Sequence, residues 1–331
     1  MRVCLLFDGD EGVLSERGGV DLPGGPHTHL PQLDWTLQPL FHDDAIERLA
    51  GRLAEGYDAF FNLCDGAADE ERPGIDVVRA LEEAGVAFTG ATSDFYEPSR
   101  DAMKAACARA GVGAPAHVVV DGAAADGAAE TEAAIERAAG TLDWPLIVKH
   151  PSSYSSIGLT PDSVVETRAA LEREIRRAID DFGAALVEEY VAGREFTVLV
   201  LERSGRPDRP IAYPPIEFRF PPGETFKHYR LKWYDWKGME ALPLVDPALE
   251  NRLREESARF FVALGGTGYA RCDVRMDAGG RLNFLEINPN CGVYYPLDEP
   301  GSADLSLMHH PEGHAGFTSR VLEAGLARRR P

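Results

Sequence analysis

The chain alternates short unbroken apolar runs with segments whose apolar residues recur at helical spacing. Residues 3–7 are such a run and predict a strand; a helix over 43–56 sets Ile46, Leu49 and Leu53 on one face; residues 59–63 predict a second strand. Residues 74–84 carry Ile75, Val78 and Leu81 at helical spacing, stop at Gly85, and lead into 86–90, a further strand closed by glycine. Strand, helix, strand in repetition is the pattern of a parallel sheet with crossover helices, and the fold class it predicts is α/β. The organisation changes after Pro98. A helix over 100–110, a strand over 114–120, an alanine, glycine and aspartate loop over 121–129 and a strand over 145–149 are followed by a helix near 163–180, a strand over 185–191 and a new strand run from Gly193.

The most informative pattern lies near the C-terminus. Arg271-Cys272-Asp273-Val274-Arg275 and Leu285-Glu286-Ile287-Asn288 flank Asp277-Ala278-Gly279-Gly280, a turn that closes an antiparallel hairpin. Period 2 then predicts Arg271 opposite Glu286, with Asp273 and Asn288 on the same face. Two carboxylates and an amide beside an arginine, with no histidine or cysteine among them, suit Mg²⁺ carrying nucleotide phosphates better than zinc. The plainer alternative is a one-sided hairpin with its polar residues in solvent.

Other segments add cations and loops. Lysine is sparse: Lys104, Lys149, Lys227, Lys232 and Lys237 are the only five among 34 basic residues, so each merits scrutiny as a compact partner for phosphate. Lys227 and Lys237 read as solvated. Lys149 ends a strand, and the following loop, His150 to Gly158, offers hydroxyls and backbone N–H groups that can wrap a polyphosphate; an ordinary serine-rich surface turn is the plainer alternative. Tyr154 either gates that loop or packs it down. Glu188, Glu189 and Glu195 bracket strand ends, where carboxylates meet ribose hydroxyls and an adenine amine or simply face water.

Composition narrows the partners. With 331 residues, 44% hydrophobic, the chain has room for two or three domains with real cores. A net charge of −20 argues against nucleic acid or an anionic membrane as partner. Five cysteines without a C-x-x-C pair read as reduced thiols, and no stretch reaches the length of a membrane span, so a cytoplasmic location is expected. His27-Thr28-His29, like His309, His310 and His314, reads as solvated rather than metal-binding, and Cys291 as a packed thiol rather than a nucleophile.

Taken in order, these segments resemble the ATP-grasp superfamily and, within it, the D-alanine–D-alanine ligase-like branch, over nearly the whole chain. The resemblance implies an N-terminal α/β domain (1–98), a central subdomain (99–192) and a C-terminal catalytic domain (193–331) sandwiching ATP. It puts Arg100 where the family has an early lysine, Lys149, Ser155 and Ser156 at the phosphates, Glu188, Glu189, Val191 and Glu195 at adenine and ribose, and Lys232 at a phosphate. Asp273, Glu286 and Asn288 fall on its magnesium ligands, two Mg²⁺ ions being expected and Mn²⁺ able to replace them. Arg271 falls on its catalytic arginine, and Gly292 where a backbone N–H helps hold an oxyanion. The substrates it implies are a small carboxylate and an amine, joined through an acyl phosphate, and a homodimer would fit the family.

Three departures bear on the substrate. The glutamate that follows the first strand in D-alanine–D-alanine ligases has no counterpart, Glu11 and Glu16 being the nearest carboxylates. Val293-Tyr294-Tyr295-Pro296-Leu297 stands in place of the serine-bearing acceptor segment, and Trp233 in place of a tyrosine. The expectation is therefore an ATP-dependent carboxylate–amine ligase acting on amino-acid-like substrates other than the cell-wall pair. A cyclising ligase with an internal amine, and a nucleotide-binding regulator without turnover, are the alternatives.

Overall fold

The computed structural model describes residues 1–9, 24–67, 70–122, 128–152 and 156–328, in which three β-sheets follow one another along the chain. The first is parallel: β1 (Arg2–Asp8) lies between β2 (Asp34–Leu40) and β3 (Ala59–Asn62). β1 and β3 are apolar on both faces because both faces are covered, as parallel sheets require. Leu6 and Phe60 share a core with the helices Ala45–Leu53 and Ile75–Glu83, while Leu5 and Phe61 pack with Phe317 and Val321 of the helix Gly313–Ala327. Pro39 sits in β2 without cost to a ladder because β2 is an edge strand.

Two local expectations shift. The buried stripe of the helix Ala45–Leu53 runs through Ala45, Leu49 and Leu53, and Ile46 is 46% exposed. Residues 86–90 form a single bridge, Phe88 to Phe60, rather than a strand. The helix Arg100–Ala110 has its expected bounds: the Ser99 side chain accepts from the Ala102 N–H at 3.2 Å, and Gly111 ends it at φ 64°.

The second sheet is antiparallel, with β4 (His117–Asp121), β5 (Leu146–Lys149), β6 (Val164–Val165) and β7 (Ala184–Glu189) in the order β4-β7-β5-β6. It has its own core, made with the helices Ala128–Thr141 and Arg168–Phe182. The first of these begins inside the stretch read as a loop; the second starts later than expected because β6 occupies residues 164–165.

The third sheet comprises β8 (Arg194–Leu201), β9 (Ile211–Ala212), β10 (Ile216–Arg219), β11 (Glu240–Pro243), β12 (Tyr269–Met276) and β13 (Leu282–Pro289), ordered β11-β10-β8-β12-β13 with β9 on β8. Its core is continuous with that of the first sheet: the helix Pro247–Ala263 brings Phe261 within 5.3 Å of Phe95, ring to ring. The first and third sheets thus share cores, and the second packs separately. Among the described residues no helix is long and apolar enough to cross a membrane.

Candidate active site

The hairpin β12–β13 carries the densest chemistry. Its turn closes with the Gly280 N–H donating to the Asp277 carbonyl at 2.9 Å. The register corrects the sequence expectation by two residues: Arg271 faces Asn288, and Asp273 faces Glu286. One residue of the shift lies in the ladder next to the turn, where Val274 already pairs with Phe284, and the other is a β-bulge at Leu285, an extra residue on β13. The shared face survives. Arg271 holds Asp273 as a fork, Nε to Oδ1 and Nη2 to Oδ2, both at 3.0 Å, and the Thr197 hydroxyl donates to Oδ1 at 2.9 Å. The Asn288 Nδ2 bridges the two carboxylates, at 3.1 Å to Asp273 and 3.3 Å to Glu286. Arg100 reaches Glu286 at 2.5 Å.

Burial alone would push both carboxyls up, but Arg271 beside Asp273 and Arg100 beside Glu286 outweigh it, and both are held below the ordinary carboxylate range. The pair is therefore ionised where it converges. Two opposed carboxylates bridged by an amide form a hard-oxygen set that fits Mg²⁺, the Asn288 amide turning to present its oxygen; the remaining positions fall to phosphate and water. Among the described residues no three His, Cys, Asp or Glu side chains gather elsewhere into a metal site.

A first cavity of about 1030 Å³, counting its open mouth, runs from this hairpin to the second sheet. Arg100, Lys149, Ser156, Glu189, Val191, Glu195, Lys232, Arg271, Asp273 and Glu286 all line it. Ser155 and Tyr154 lie outside the described residues. Ser156 adopts φ 60°, and its hydroxyl donates to the Lys227 carbonyl at 2.9 Å. Glu189 is committed to the backbone, accepting from the Asp143 N–H at 3.0 Å.

Two residues depart from expectation. Glu188, anticipated at adenine or ribose, is 1% exposed and sits between Lys104 (2.6 Å) and Lys149 (2.5 Å). Burial raises its pKa, yet the two ammonium groups hold it far below the usual range. Lys227, read as solvated, is in the cavity wall: its ammonium lies 3.3 Å from the Phe218 ring centroid and 3.8 Å from Glu195, and burial lowers its pKa. Lys237 is exposed, as expected. Lys232 is pushed down to about 8, first by burial and then by repulsion from Arg271 and Lys227.

A second cavity, of about 980 Å³ on the same measure, meets the first at Lys232, Arg271 and Ser302. Asn288, Gly292, Trp233, Tyr295 and Cys291 line it, and from the segment between β3 and the helix Ile75–Glu83 come Asp65, Glu70 and Arg72. Arg72 is gripped by Glu70 at 2.6 Å and Asp65 at 2.8 Å, with Asp8 at 3.7 Å. Cys291 is a packed thiol, 6% exposed, and burial pushes its pKa up to about 12, away from the reactive thiolate. His314, read as solvated, is instead buried, with its Nε2 paired to Asp304 at 2.8 Å and His29 stacked on it at 4.9 Å, whereas His309 is exposed as expected. All five cysteines are buried and unbridged.

Sequence reasoning missed Asp65, Glu70, Arg72, Thr197, Arg275 and Ser302. The sparseness of lysine was a signal that could have drawn Lys227 into the site. Arg275, 3% exposed, staples the loop before Lys227 by donating to the Thr225 carbonyl at 2.7 Å and the Gly193 carbonyl at 3.1 Å.

Residues 107–295, a stretch that includes both strands of the hairpin, match the family described as D-ala D-ala ligase C-terminus. The chain is 30% identical to the D-alanine–D-alanine ligase of Pseudomonas fluorescens (strain Pf0-1) over 324 residues, covering 97% of this chain and 89% of that one. It is 30% identical to the D-alanine–D-alanine ligase of Ectopseudomonas mendocina (strain ymp) over 283 residues, or 85% and 79% of the two chains. Among solved structures, VanG D-Ala:D-Ser ligase from Enterococcus faecalis superposes with a TM-score of 0.67 at 19% identity, over 99% of each chain. D-alanine–D-alanine ligase from Bacillus anthracis complexed with ATP gives 0.67 at 18%, over 99% of this chain and 98% of that one. With the fold, the hairpin and these matches in agreement, the chain belongs to the D-alanine–D-alanine ligase family of the ATP-grasp superfamily, ADP-forming carbon–nitrogen ligases that depend on ATP and Mg²⁺.

Proposed function

We propose that this protein joins a carboxylate to an amine through an acyl phosphate, on amino-acid-like substrates, with ATP in the first cavity and both reacting groups in the second. The observation that carries this reading is the meeting of the two cavities at Arg271, Lys232 and Ser302, beside the Asp273–Glu286 pair. Adenine would lie toward Glu189 and Val191, ribose toward Glu195, and the phosphates against Lys149, Lys227 and Lys232, with Ser156 in the loop above. Asp273, Glu286 and Asn288 would hold Mg²⁺, which supplies charge neutralisation for the phosphates. Glu188 would act indirectly, holding Lys149 and Lys104 at the cavity edge.

In the first step a carboxylate oxygen bonds to the γ-phosphorus, and the bond to the β,γ-bridging oxygen breaks with its electrons leaving on ADP. In the second, the amine adds to the acyl carbon, inorganic phosphate leaves, and the proton lost from nitrogen passes to solvent. Arg271 and the Gly292 N–H, both in the wall of the second cavity, would stabilise the oxyanion of that addition. Asp65 and Glu70 line the second cavity with their carboxylates committed to the Arg72 guanidinium, so on that side the wall offers an ion-paired polar surface to the substrate.

The relatives carry the name D-alanine–D-alanine ligase, so D-alanine is the first substrate to test. Trp233 and Tyr295 favour a bulkier acceptor. The domain division 1–98, 99–192 and 193–331 is proposed with this reading. ADP release from MgATP, measured across D- and L-amino acids, dipeptides and hydroxylamine, tests it. Carboxylate-dependent release with hydroxamate formation supports the reading, product mass separates intermolecular from cyclised amide, and ATP binding without release for any carboxylate would sink it.

A further inference from the structure

Tyr294 and Tyr295 are neighbours in sequence with opposite fates. Tyr294 turns inward: it is 7% exposed, and its hydroxyl pairs with the Thr318 hydroxyl at 3.0 Å. Tyr295 turns toward the second cavity, 52% exposed, and its hydroxyl has no hydrogen-bond partner among the described residues. Its ring lies on two glycines. A Cβ on Gly292 would come 2.5 Å from the Tyr295 Oη, and one on Gly301 would come 2.8 Å from the ring, so any other residue at either place would push the ring away.

The loop that achieves this is strained and clasped. Tyr294 takes φ 72°, a left-handed conformation that is unfavourable for a bulky residue and persists only where its surroundings enforce it. Asp304 enforces it. Fully buried, its carboxylate accepts from the N–H groups of Tyr294 (2.8 Å), Gly301 (3.1 Å) and Tyr295 (3.3 Å), and pairs with the His314 Nε2 at 2.8 Å. A buried carboxylate, a strained backbone and two glycines thus converge on one phenol whose own hydroxyl is left open, against the glycine expected to supply the oxyanion N–H. Stability alone does not call for that arrangement; a site preorganised before its substrate arrives does.

Resting on the carboxylate–amine ligase reading, we propose that Tyr295 is the acceptor-positioning residue: its hydroxyl accepts a hydrogen bond from the attacking amine and turns the nitrogen lone pair toward the acyl carbon above Gly292. Asp304 is the positioning residue behind it. The two half-reactions separate this role from the rest of the site. Activation is read by carboxylate-dependent exchange of the β,γ-bridging oxygen of ATP, with D-alanine and then the panel carboxylates as donor. Capture is read by hydroxamate formation against hydroxylamine concentration.

Tyr295→Phe keeps the exchange rate within about twofold and lowers kcat/KM for hydroxylamine at least tenfold. Asp304→Asn, which replaces one of the two accepting oxygens by an NH2 donor that faces backbone N–H groups, produces the same split with a wild-type KM for ATP. If Tyr295→Phe captures hydroxylamine like the wild type, the role of Tyr295 is overturned while the ligase reading stands. If the wild type shows no exchange with any donor, the ligase reading fails and this inference fails with it.

Discussion

Asp273 on β12 stands directly opposite Glu286 on β13 because Leu285 is bulged out between them. The ladder that pairs Val274 with Phe284, continued without interruption, would set Leu285 against Asp273 and Ile287 against Arg271. The bulge brings Glu286 and Asn288 there instead, and adds Leu285 to the wall of the first cavity. Glu286→Gln and Asp273→Asn should each lower turnover by on the order of 10²–10³, the scale on which loss of one transition-state electrostatic partner is felt. Each should also raise the Mg²⁺ concentration for half-maximal ADP release, and chelation of divalent ions should abolish release. An unchanged Mg²⁺ dependence in both variants would remove these residues from the metal site.

Lys232 supplies a pH signature. Its pKa is lowered to about 8, so the ammonium is charged below that pH and loses its proton as pH rises through it. A neutral amine gives up its attraction for a phosphate oxygen, and kcat/KM for ATP should fall above about pH 8. Lys232→Arg keeps its charge throughout. In that variant the alkaline limb should vanish from the profile measured between pH 7 and 10; a limb retained unchanged would belong to another group.

Glu188 ties the second sheet to the helix Arg100–Ala110 through Lys149 and Lys104. Glu188→Gln leaves two ammonium groups facing an amide in a buried setting, a change that costs about 3–5 kcal/mol. Thermal melting at neutral pH should register it as a large fall in Tm. Because the folded-state pKa is depressed, the stabilisation is complete above the ordinary glutamate value of 4.5 and is lost as pH falls below it. The wild type should therefore lose stability faster than Glu188→Gln on acidification, and parallel Tm curves would contradict the pairing.

Legibility in the sequence followed the range of the interaction. β1, β3, the helix Arg100–Ala110 and the hairpin are written in local apolar spacing and turn residues, and they emerge close to their expected bounds. β2 is hidden by Pro39, admissible only because the strand is at an edge. The helix Ala128–Thr141 is alanine-rich and has too little apolar contrast to show a face. The hairpin register was legible in principle: Leu282, Phe284 and Ile287 point into one core, and their spacing of two and then three residues marks the bulge. Asp65, Glu70 and Arg72 could not be found, since what makes them part of the site is the packing of the first sheet against the third across some two hundred residues of chain. Lys227 was misread for the same reason, its neighbours Phe218 and Glu195 being brought to it by β8 and β10.

Gly292 separates two roles that lie on top of each other. Its backbone N–H is the expected oxyanion donor, and alanine would retain that N–H. Gly292 is outside the left-handed region, and the three atoms nearest an added Cβ all belong to the Tyr295 phenol, the closest being Oη at 2.5 Å. Gly292→Ala should therefore fold with a near-wild-type Tm and swing Tyr295 aside. Its capture of hydroxylamine should fall as far as in Tyr295→Phe, while ATP exchange is maintained. The double variant Gly292→Ala/Tyr295→Ala should be no worse than Tyr295→Ala alone, because contacting residues do not add. Full additivity in the capture rate would instead mean that alanine at 292 disturbs the oxyanion donor itself.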